Sequence, residues 1–338
     1  MYRIKFVRLL AALALSLFEI VIAAPKAEPD HIKPDTNIIF LGDSITQRGT
    51  YIAYINAYLW SHYPDSKYNL INLGLGSETA SGLSEPDHPF PRPNIHTRID
   101  RALAEAKPDL TFICYGMNDG IYYPPSEDRM LAYKNGMTGL IEKVRATGSP
   151  IILLTPTPFD AETRRLRGRT LRGLGFPEYS YKAPYNNYDQ VLENYSTWIL
   201  QNELQVDRVI DLHTPLKKDI FQQRLSNPAY EYGDSVHPNN RGHFILAQAI
   251  LKGLNAPRAA ALTDYSNLPI NHPLTDAMPL ILKRHKNFSA AWREHVGHAK
   301  PKKESAPSRE EATIQAEAME AEILHSIRFR STNPHVSR

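Results

Sequence analysis

The sequence has one cysteine, Cys114, in 338 residues. A single thiol excludes an intramolecular disulfide framework and any zinc or iron–sulfur site built from cysteines. The chain also lacks a strong excess of charge, because 39 lysine and arginine residues face 36 acidic residues and leave a formal charge of +3. This balance is not typical of a nucleic-acid binder that works by neutralising phosphates. The chemistry must therefore come from oxygen-bearing side chains and nitrogen-bearing side chains such as histidine.

The sequence also lacks a long uninterrupted apolar run. Residues 1–24 combine a basic start with an apolar stretch over residues 9–24, which ends in small residues before Pro25. This layout is typical of a secretory signal peptide. Glu19 interrupts the stretch and leaves it shorter than the roughly 20 residues of a membrane span. We expect a cleaved signal peptide, a secreted or periplasmic protein and no stable membrane insertion after cleavage, with an uncleaved anchor as the alternative.

Short apolar runs alternate with helical stretches through the middle of the chain. Five runs rich in Ile, Leu, Val and Phe predict strands at residues 37–41, 68–73, 110–115, 151–155 and 208–212. Helices are predicted at residues 50–62, 95–106, 128–146, 188–204 and 241–254. Because several runs are almost continuously apolar, we expect strands covered on both faces, as in a parallel sheet between two layers of helices.

Other regions do not share this alternation. Residues 160–187 show no periodicity and contain five arginines and several tyrosines, which favours a lid or binding loop. We interpret residues 25–36 as a linker, 37–255 as the α/β domain and 256–338 as a mostly helical C-terminal extension. An amphipathic stretch at 310–328 predicts a terminal helix within that extension.

Two of the predicted strands end in motifs with polar side chains. The first strand runs into GDSIT at 42–46, where a turn can hold the hydroxyl of Ser44 at the edge of the sheet. Taken alone, Ser44 is better explained as the N-cap of the next helix. The third strand ends in GMNDG at 116–120, and the carboxyl ends of parallel strands meet at one edge. The amide of Asn118 can donate there to a developing oxyanion.

Two further motifs add groups at the same edge. The second strand ends in NLGLGS at 72–77, whose backbone N–H groups can approach a ligand closely. In DSVHP at 234–238, Asp234 precedes His237 by three residues and can orient the imidazole as a general base. A serine needs such a base, because its hydroxyl is a weak nucleophile. Each motif alone also fits an ordinary turn or a surface histidine.

Together and in this order, the four motifs resemble those of the SGNH, or GDSL-type, hydrolase family. The resemblance covers about residues 37 to 254. It implies a three-layer α/β/α sandwich with a flavodoxin-like, five-stranded parallel sheet. It also implies that Ser44 is the nucleophile of a catalytic triad completed by Asp234 and His237.

The resemblance further implies an oxyanion hole. Its donors would be the N–H of Ser44, the side-chain amide of Asn118 and one backbone N–H of the second motif. The family pattern Asn-x-Gly-x-x-Gly-x-Thr is not matched fully, because Ser77 stands at the second glycine and Gly76 comes one place earlier. Both Gly76 and Ser77 are therefore candidate donors.

The implied activity is hydrolysis of carboxylic esters through an acyl-serine, without a cofactor or a metal. We expect a small-molecule or polysaccharide acyl ester as substrate, with removal of acetyl or other short acyl groups from carbohydrate. The alternatives are an acyltransferase on the same triad and a catalytically silent carbohydrate-binding relative. The loop at 74–79 lacks the third glycine of a dinucleotide site, and His295 and His298 lack the spacing of a zinc motif.

The substrate-binding residues are predicted less specifically. The candidates, which are acidic, basic or aromatic residues near the motifs or in the irregular loop, are Asp43, Asp119, Arg164, Arg165 and Tyr181. The arginines between 164 and 172 either bind a uronate or a sulfated polymer or form a solvated loop. The sequence does not predict the oligomeric state.

Overall fold

Five parallel strands form one sheet in the computed structural model, which describes residues 29–332. The strands are β1 (Asn37–Gly42), β2 (Asn69–Asn72), β3 (Leu110–Cys114), β4 (Ile151–Leu154) and β5 (Arg208–Ile210). Their order in the sheet is β2-β1-β3-β4-β5, with every pair parallel. All residues of β3 and β4 are buried, as expected for strands covered on both faces. The predicted α/β architecture is confirmed, and the predicted signal peptide at 1–24 lies outside the described residues.

Ten α-helices lie within residues 29–332. They are α1 (Ser44–Arg48), α2 (Thr50–His62), α3 (Ile99–Ala106), α4 (Glu127–Arg145), α5 (Ala161–Leu166), α6 (Asp189–Leu200), α7 (His213–Ser226), α8 (Asn240–Gly253), α9 (Ala277–Val296) and α10 (Arg309–Thr332). Helices α2 and α8 pack together in one layer, while α3 and α4 pack together in the other. Across the described residues, no helix combines the length and the apolar character that a membrane crossing needs.

Four helices were not predicted from the sequence: the one-turn helix α1, and α5, α7 and α9. Helix α5 shows that the segment 160–187 is not wholly irregular, because the Asp160 side chain caps it by accepting from the Thr163 N–H at 3.1 Å. Helix α7 buries only His213, Leu216 and Ile220, which is too few positions to give a clear apolar stripe. Helix α9 was missed for a different reason, which is the polar character of its sequence.

Helix α9 places charged residues in its buried face. Arg284 and Arg293 are both buried, and they pair with Glu320 and Glu304 from later in the chain. A sequence pattern cannot anticipate such pairs, so the helix looks too polar to be packed. Helix α9 contacts β2 and α2, and α10 packs along α9. The predicted terminal helix at 310–328 lies within α10, while the domain boundaries stay a prediction.

The end of β1 is shaped by close packing. A Cβ atom on Gly42 would lie 2.3 Å from Thr46 Oγ1 and 2.7 Å from the Cys114 carbonyl oxygen, so only glycine fits there. The chain then turns at once into α1, and the Asp43 side chain accepts from the Ile45 N–H at 2.9 Å. This capped turn holds Ser44 as the first residue of a short helix, just beyond the carboxyl end of the strand.

Candidate active site

Ser44, His237 and Asp234 form an unbroken chain of hydrogen bonds. His237 Nε2 lies 2.7 Å from Ser44 Oγ, and His237 Nδ1 lies 2.8 Å from Asp234 Oδ2. The serine and the histidine are 193 residues apart in the chain. The fold brings them together because Ser44 follows β1, while His237 lies in the turn just before α8. A hydroxyl, an imidazole and a carboxylate in this order can activate the hydroxyl as a nucleophile.

The carboxylate of Asp234 is held by the turn that carries the histidine. Its Oδ1 accepts from the backbone N–H groups of Val236 at 3.1 Å and of His237 at 2.8 Å. Burial by itself raises the pKa of Asp234, but the imidazole of His237 and these N–H groups together hold it well below its usual range. The carboxylate therefore stays ionised at neutral pH and can stabilise a positively charged imidazole.

Asn118 is buried, and its amide is oriented from both ends. Asn118 Nδ2 donates to the Glu78 carbonyl oxygen at 3.1 Å, and the Tyr122 hydroxyl donates to Asn118 Oδ1 at 3.2 Å. A side-chain amide has two N–H groups, so a second donor remains on Nδ2 for a ligand. The amide can thus act as a preorganised donor to an oxyanion. The sequence pointed to Asn118 but not to Tyr122.

Gly76 lies directly against the nucleophile. A Cβ atom on Gly76 would lie 3.7 Å from Ser44 Cβ and 2.8 Å from Gln47 Oε1. The Gly76 N–H donates to that same Gln47 oxygen. Ser77 has a φ of 68°, in the left-handed region that is rarely adopted by residues other than glycine. Gly76 and Ser77 both remain candidate oxyanion donors, and in this structure the first of them is bonded to Gln47.

A buried ion pair holds the second loop in place. Arg98 donates to both carboxylate oxygens of Glu78, each at 2.6 Å, and also to the Leu73 carbonyl oxygen at 2.7 Å. The Tyr115 hydroxyl donates to Glu78 Oε2 at 2.6 Å. Glu78 thereby links the loop after β2 to the end of β3, and its backbone carbonyl anchors Asn118. Sequence analysis missed this pair, because an arginine in a helical stretch gives no sign of its partner.

The C-terminal extension also reaches the site. Gln47 Nε2 donates to Glu304 Oε1 at 2.8 Å, and Arg293 pairs with the same carboxylate at 2.7 Å. Lys300 Nζ lies 3.3 Å from the position of a Cβ atom on Gly76. The extension, to which the sequence assigned no chemistry, therefore supports the side chain that contacts the second loop.

The two acidic substrate-binding candidates are buried and bound by the protein itself. Asp43 caps α1, and burial raises its pKa to about 7. Asp119 Oδ1 accepts from the N–H groups of Ala80 at 2.8 Å and Ser81 at 2.7 Å, and burial raises the pKa of Asp119 to about 6. Both carboxyl groups hold backbone turns near the site.

The other candidates lie between β4 and α6, with Arg164 and Arg165 in helix α5 and Tyr181 in the loop that follows it. Arg164 is buried and donates to loop carbonyl oxygens, including that of Thr170 at 2.7 Å. Arg165 is exposed and pairs with Glu162 at 3.0 Å. Tyr181 packs its ring edge against His88, with ring centroids 5.3 Å apart. None of these three side chains is hydrogen-bonded to Ser44, His237 or Asp234 among the described residues.

One group of side chains has the composition of a metal site. Asp189, Glu193 and His213 bring their ligand atoms within 4.8 Å of one another. The ammonium of Lys217 lies between the carboxylates, 2.7 Å from Asp189 Oδ2 and bonded to Glu193. A cation of the protein itself therefore balances this acidic group. His295 and His298 pair instead with Glu105 and Glu294, respectively.

Comparison of this chain with known proteins identifies a family and a relative with similar sequences. The model of the GDSL-like Lipase/Acylhydrolase family matches residues 40–245. An acetylxylan esterase from Geobacillus stearothermophilus is 22% identical over 236 residues, which are 64% of this chain and 92% of that protein.

Two solved structures are similar in fold. A catalytic mutant of an acetylxylan esterase from Geobacillus stearothermophilus has a TM-score of 0.48 and 20% identity, over 66% of this chain and 96% of that one. A gut microbial diltiazem-metabolizing enzyme has a TM-score of 0.49 and 18% identity, over 67% of this chain. This chain spans about half the length of the diltiazem-metabolizing enzyme, 49% of it.

Proposed function

We propose, because the chain belongs to the GDSL-like lipase/acylhydrolase family, that Ser44 is the nucleophile of a serine esterase. Membership of the family makes the chain an ester-bond hydrolase. The observation that carries the assignment to Ser44 is its unbroken hydrogen-bonded chain with His237 and Asp234, at 2.7 and 2.8 Å. In the proposal, His237 is the general base and Asp234 orients it.

The proposed reaction has two halves. Ser44 Oγ attacks the ester carbonyl while His237 Nε2 takes the serine proton, and the same nitrogen then protonates the departing alcohol. A water activated by His237 next hydrolyses the acyl-serine. The oxyanion formed in each half would accept from the Ser44 N–H, the Asn118 amide and an N–H of the second loop. For Gly76 to be that third donor, the Gln47 side chain must give up its hydrogen bond.

We further propose an acetyl or other short acyl ester of a carbohydrate as the substrate. The name of the Geobacillus relative, an acetylxylan esterase, supports this choice at 22% identity. A panel of p-nitrophenyl acetate, butyrate and octanoate tests the acyl length, and acetylated xylo-oligosaccharides test the alcohol. A preference for octanoate would contradict the proposed acyl group.

The nucleophile is tested by comparing Ser44→Ala with the parent protein on p-nitrophenyl acetate. We expect the variant to lose nearly all turnover above background, because the acyl-serine cannot form. Equal rates for the two proteins would overturn the serine mechanism. A parent protein without activity on any ester of the panel would favour the silent carbohydrate-binding alternative.

Export is proposed from the sequence pattern of residues 1–24. If the proposal is right, the mature protein will be recovered outside the cytoplasm, with an N-terminus close to Pro25. Cell fractionation followed by N-terminal sequencing measures both properties. Recovery of the full chain from membranes would support the uncleaved anchor instead.

A further inference from the structure

A cleft of about 560 Å³ opens beside the proposed base. His237 and Asp234 line it together with three arginines, Arg48, Arg167 and Arg241. The arginines come from three separate parts of the chain: the end of α1, the loop after α5 and the start of α8. The cleft therefore places several positive charges next to the triad, whereas its one acidic lining residue, Asp234, is already bound to His237.

Two of the three arginines are paired with carboxylates that do not line the cleft. Arg167 binds Glu231 at 2.5 Å. Arg241 binds both Asp219 at 2.7 Å and Asp264 at 2.9 Å. These ion pairs fix the two guanidinium groups in place and reduce their capacity for a ligand.

Arg48 differs from the other two. Its hydrogen bonds go to the Pro238 carbonyl oxygen and to Asn240 Oδ1, both at the long distance of 3.4 Å. Within residues 29–332 no carboxylate lies within ion-pairing distance of it. Its guanidinium has five N–H donors, so most of its hydrogen-bonding capacity is available. Arg48 follows Ser44 by four residues, about one helical turn, on the helix that carries the nucleophile.

The position of the cleft indicates which part of an ester it would hold. In the proposed reaction, His237 Nε2 protonates the departing alcohol oxygen, so the alcohol part must lie on the side of the imidazole. His237 lines the cleft, while Ser44, Asn118 and Gly76 do not, so the cleft lies on the imidazole side of the nucleophile and away from the oxyanion donors. The cleft is therefore placed to receive the alcohol part of the substrate rather than the acyl group.

We propose that this cleft selects esters whose alcohol part carries an anionic group, and that Arg48 binds that anion. The inference rests on the proposed esterase function and specifies its substrate class. A carboxylate, as in a uronate, and a sulfate share the oxygen geometry that a guanidinium binds through paired hydrogen bonds. The sequence placed anion recognition among the arginines at 164–172, and of these only Arg167 lines the cleft.

A matched set of acetyl esters tests the proposal. The carboxylate probe is 4-acetoxybenzoate, the sulfonate probe is 4-acetoxybenzenesulfonate, and the neutral reference is methyl 4-acetoxybenzoate. We compare kcat/KM for each anionic probe with kcat/KM for the neutral ester. For every anionic probe that the parent protein prefers over the neutral ester, Arg48→Met should lower this ratio about tenfold, mainly through KM. Comparing variant with parent cancels the intrinsic reactivity of the leaving groups. Arg48→Lys should restore part of the ratio, because it keeps the charge but not the planar fork.

The control is Lys218→Met, which removes one positive charge from an exposed position of α7 outside the cleft. Its ratio should equal that of the parent. An unchanged ratio in Arg48→Met, or equal falls in both variants, would overturn the inference. A response of one anionic probe alone supports the inference and identifies the carboxylate or the sulfonate as the recognised group.

Binding separates this inference from the esterase proposal. Titration of 4-hydroxybenzoate into Ser44→Ala, with and without Arg48→Met, measures anion binding without turnover. If Arg48→Met abolishes binding, the cleft binds the anion through Arg48. This result supports the inference whether or not Ser44 is the nucleophile. If 4-hydroxybenzoate and 4-hydroxybenzenesulfonate both bind equally well with and without Arg48, the inference fails while the serine mechanism stands.

Discussion

Replacing Asp234 by asparagine should lower kcat about 10⁴-fold without unfolding the protein. In the structure, Asp234 Oδ2 accepts from His237 Nδ1 at 2.8 Å, while Oδ1 accepts two backbone N–H groups. An asparagine can keep the backbone bonds through its carbonyl oxygen. Its NH₂ group then faces His237 Nδ1, which must become an acceptor and leave the ring proton on Nε2.

That change of tautomer blocks the reaction at its first step. A protonated Nε2 at 2.7 Å from Ser44 Oγ can only donate to the hydroxyl and cannot take its proton. The loss of about 10⁴-fold corresponds to about 5.4 kcal/mol in the activation free energy, at 1.36 kcal/mol for each factor of ten.

The assay is kcat on p-nitrophenyl acetate at saturating substrate for the parent, Asp234→Asn and Asp207→Asn. Asp207 supplies the same chemical change far from the triad, where its carboxylate accepts from the Ile151 N–H at 2.8 Å. Thermal melting curves check that each variant is folded. If Asp234→Asn keeps more than a tenth of the parent kcat while Ser44→Ala is inactive, the proposed orienting role of Asp234 is refuted.

Three further predictions concern the groups around the triad. Asn118→Ala should lower kcat by about 10²–10³-fold with little change in KM, because its amide serves the transition state; an unchanged kcat would contradict this role. Glu78→Gln should lower the free energy of unfolding by about 3–5 kcal/mol, since it leaves Arg98 charged and buried without a carboxylate. Urea unfolding measures this loss, and a change below 1 kcal/mol would count against it. Burial raises the pKa of Asp43 from 3.8 to about 7, so the folded state binds more protons than the unfolded state between these values, and the parent protein loses stability as the pH rises through them. Asp43→Asn keeps the cap on the Ile45 N–H without that cost, so its advantage in unfolding free energy over the parent should grow between pH 5 and pH 8; a difference independent of pH would refute the argument.

The sheet was predictable because its strands are buried on both faces. Such strands appear in the sequence as short continuous apolar runs, and each observed strand overlaps its predicted range. Helix α8, which has an apolar stripe, and helix α2, which is buried on all sides from Thr50 to Trp60, were predicted to within one residue at each end. Helix α9 was missed, because part of its buried face consists of arginines whose acidic partners come from other segments.

The residues of the candidate site also fall into those that the sequence predicted and those that it did not. Ser44, Asn118, Asp234 and His237 were recognisable because each lies in a short motif that follows a strand or precedes a helix. Arg98 and Glu304 act through partners distant in the chain and gave no local signal. The roles of all these residues remain predictions for the experiments above.

The sequence by itself determined the fold class, the family and the four motifs at one edge of the sheet. These features follow from local patterns: apolar periodicity decides which segments become strands, and parallel strands bring their carboxyl ends to a single edge. Only the tertiary structure decided which charges remain available beside the triad. The sequence does not distinguish Arg164 from Arg48. In the structure, Arg164 donates its hydrogen bonds to loop carbonyl oxygens, whereas Arg48 lines a cleft beside His237. Whether a guanidinium is free depends on its neighbours in space, and those are set by contacts between segments far apart in the chain.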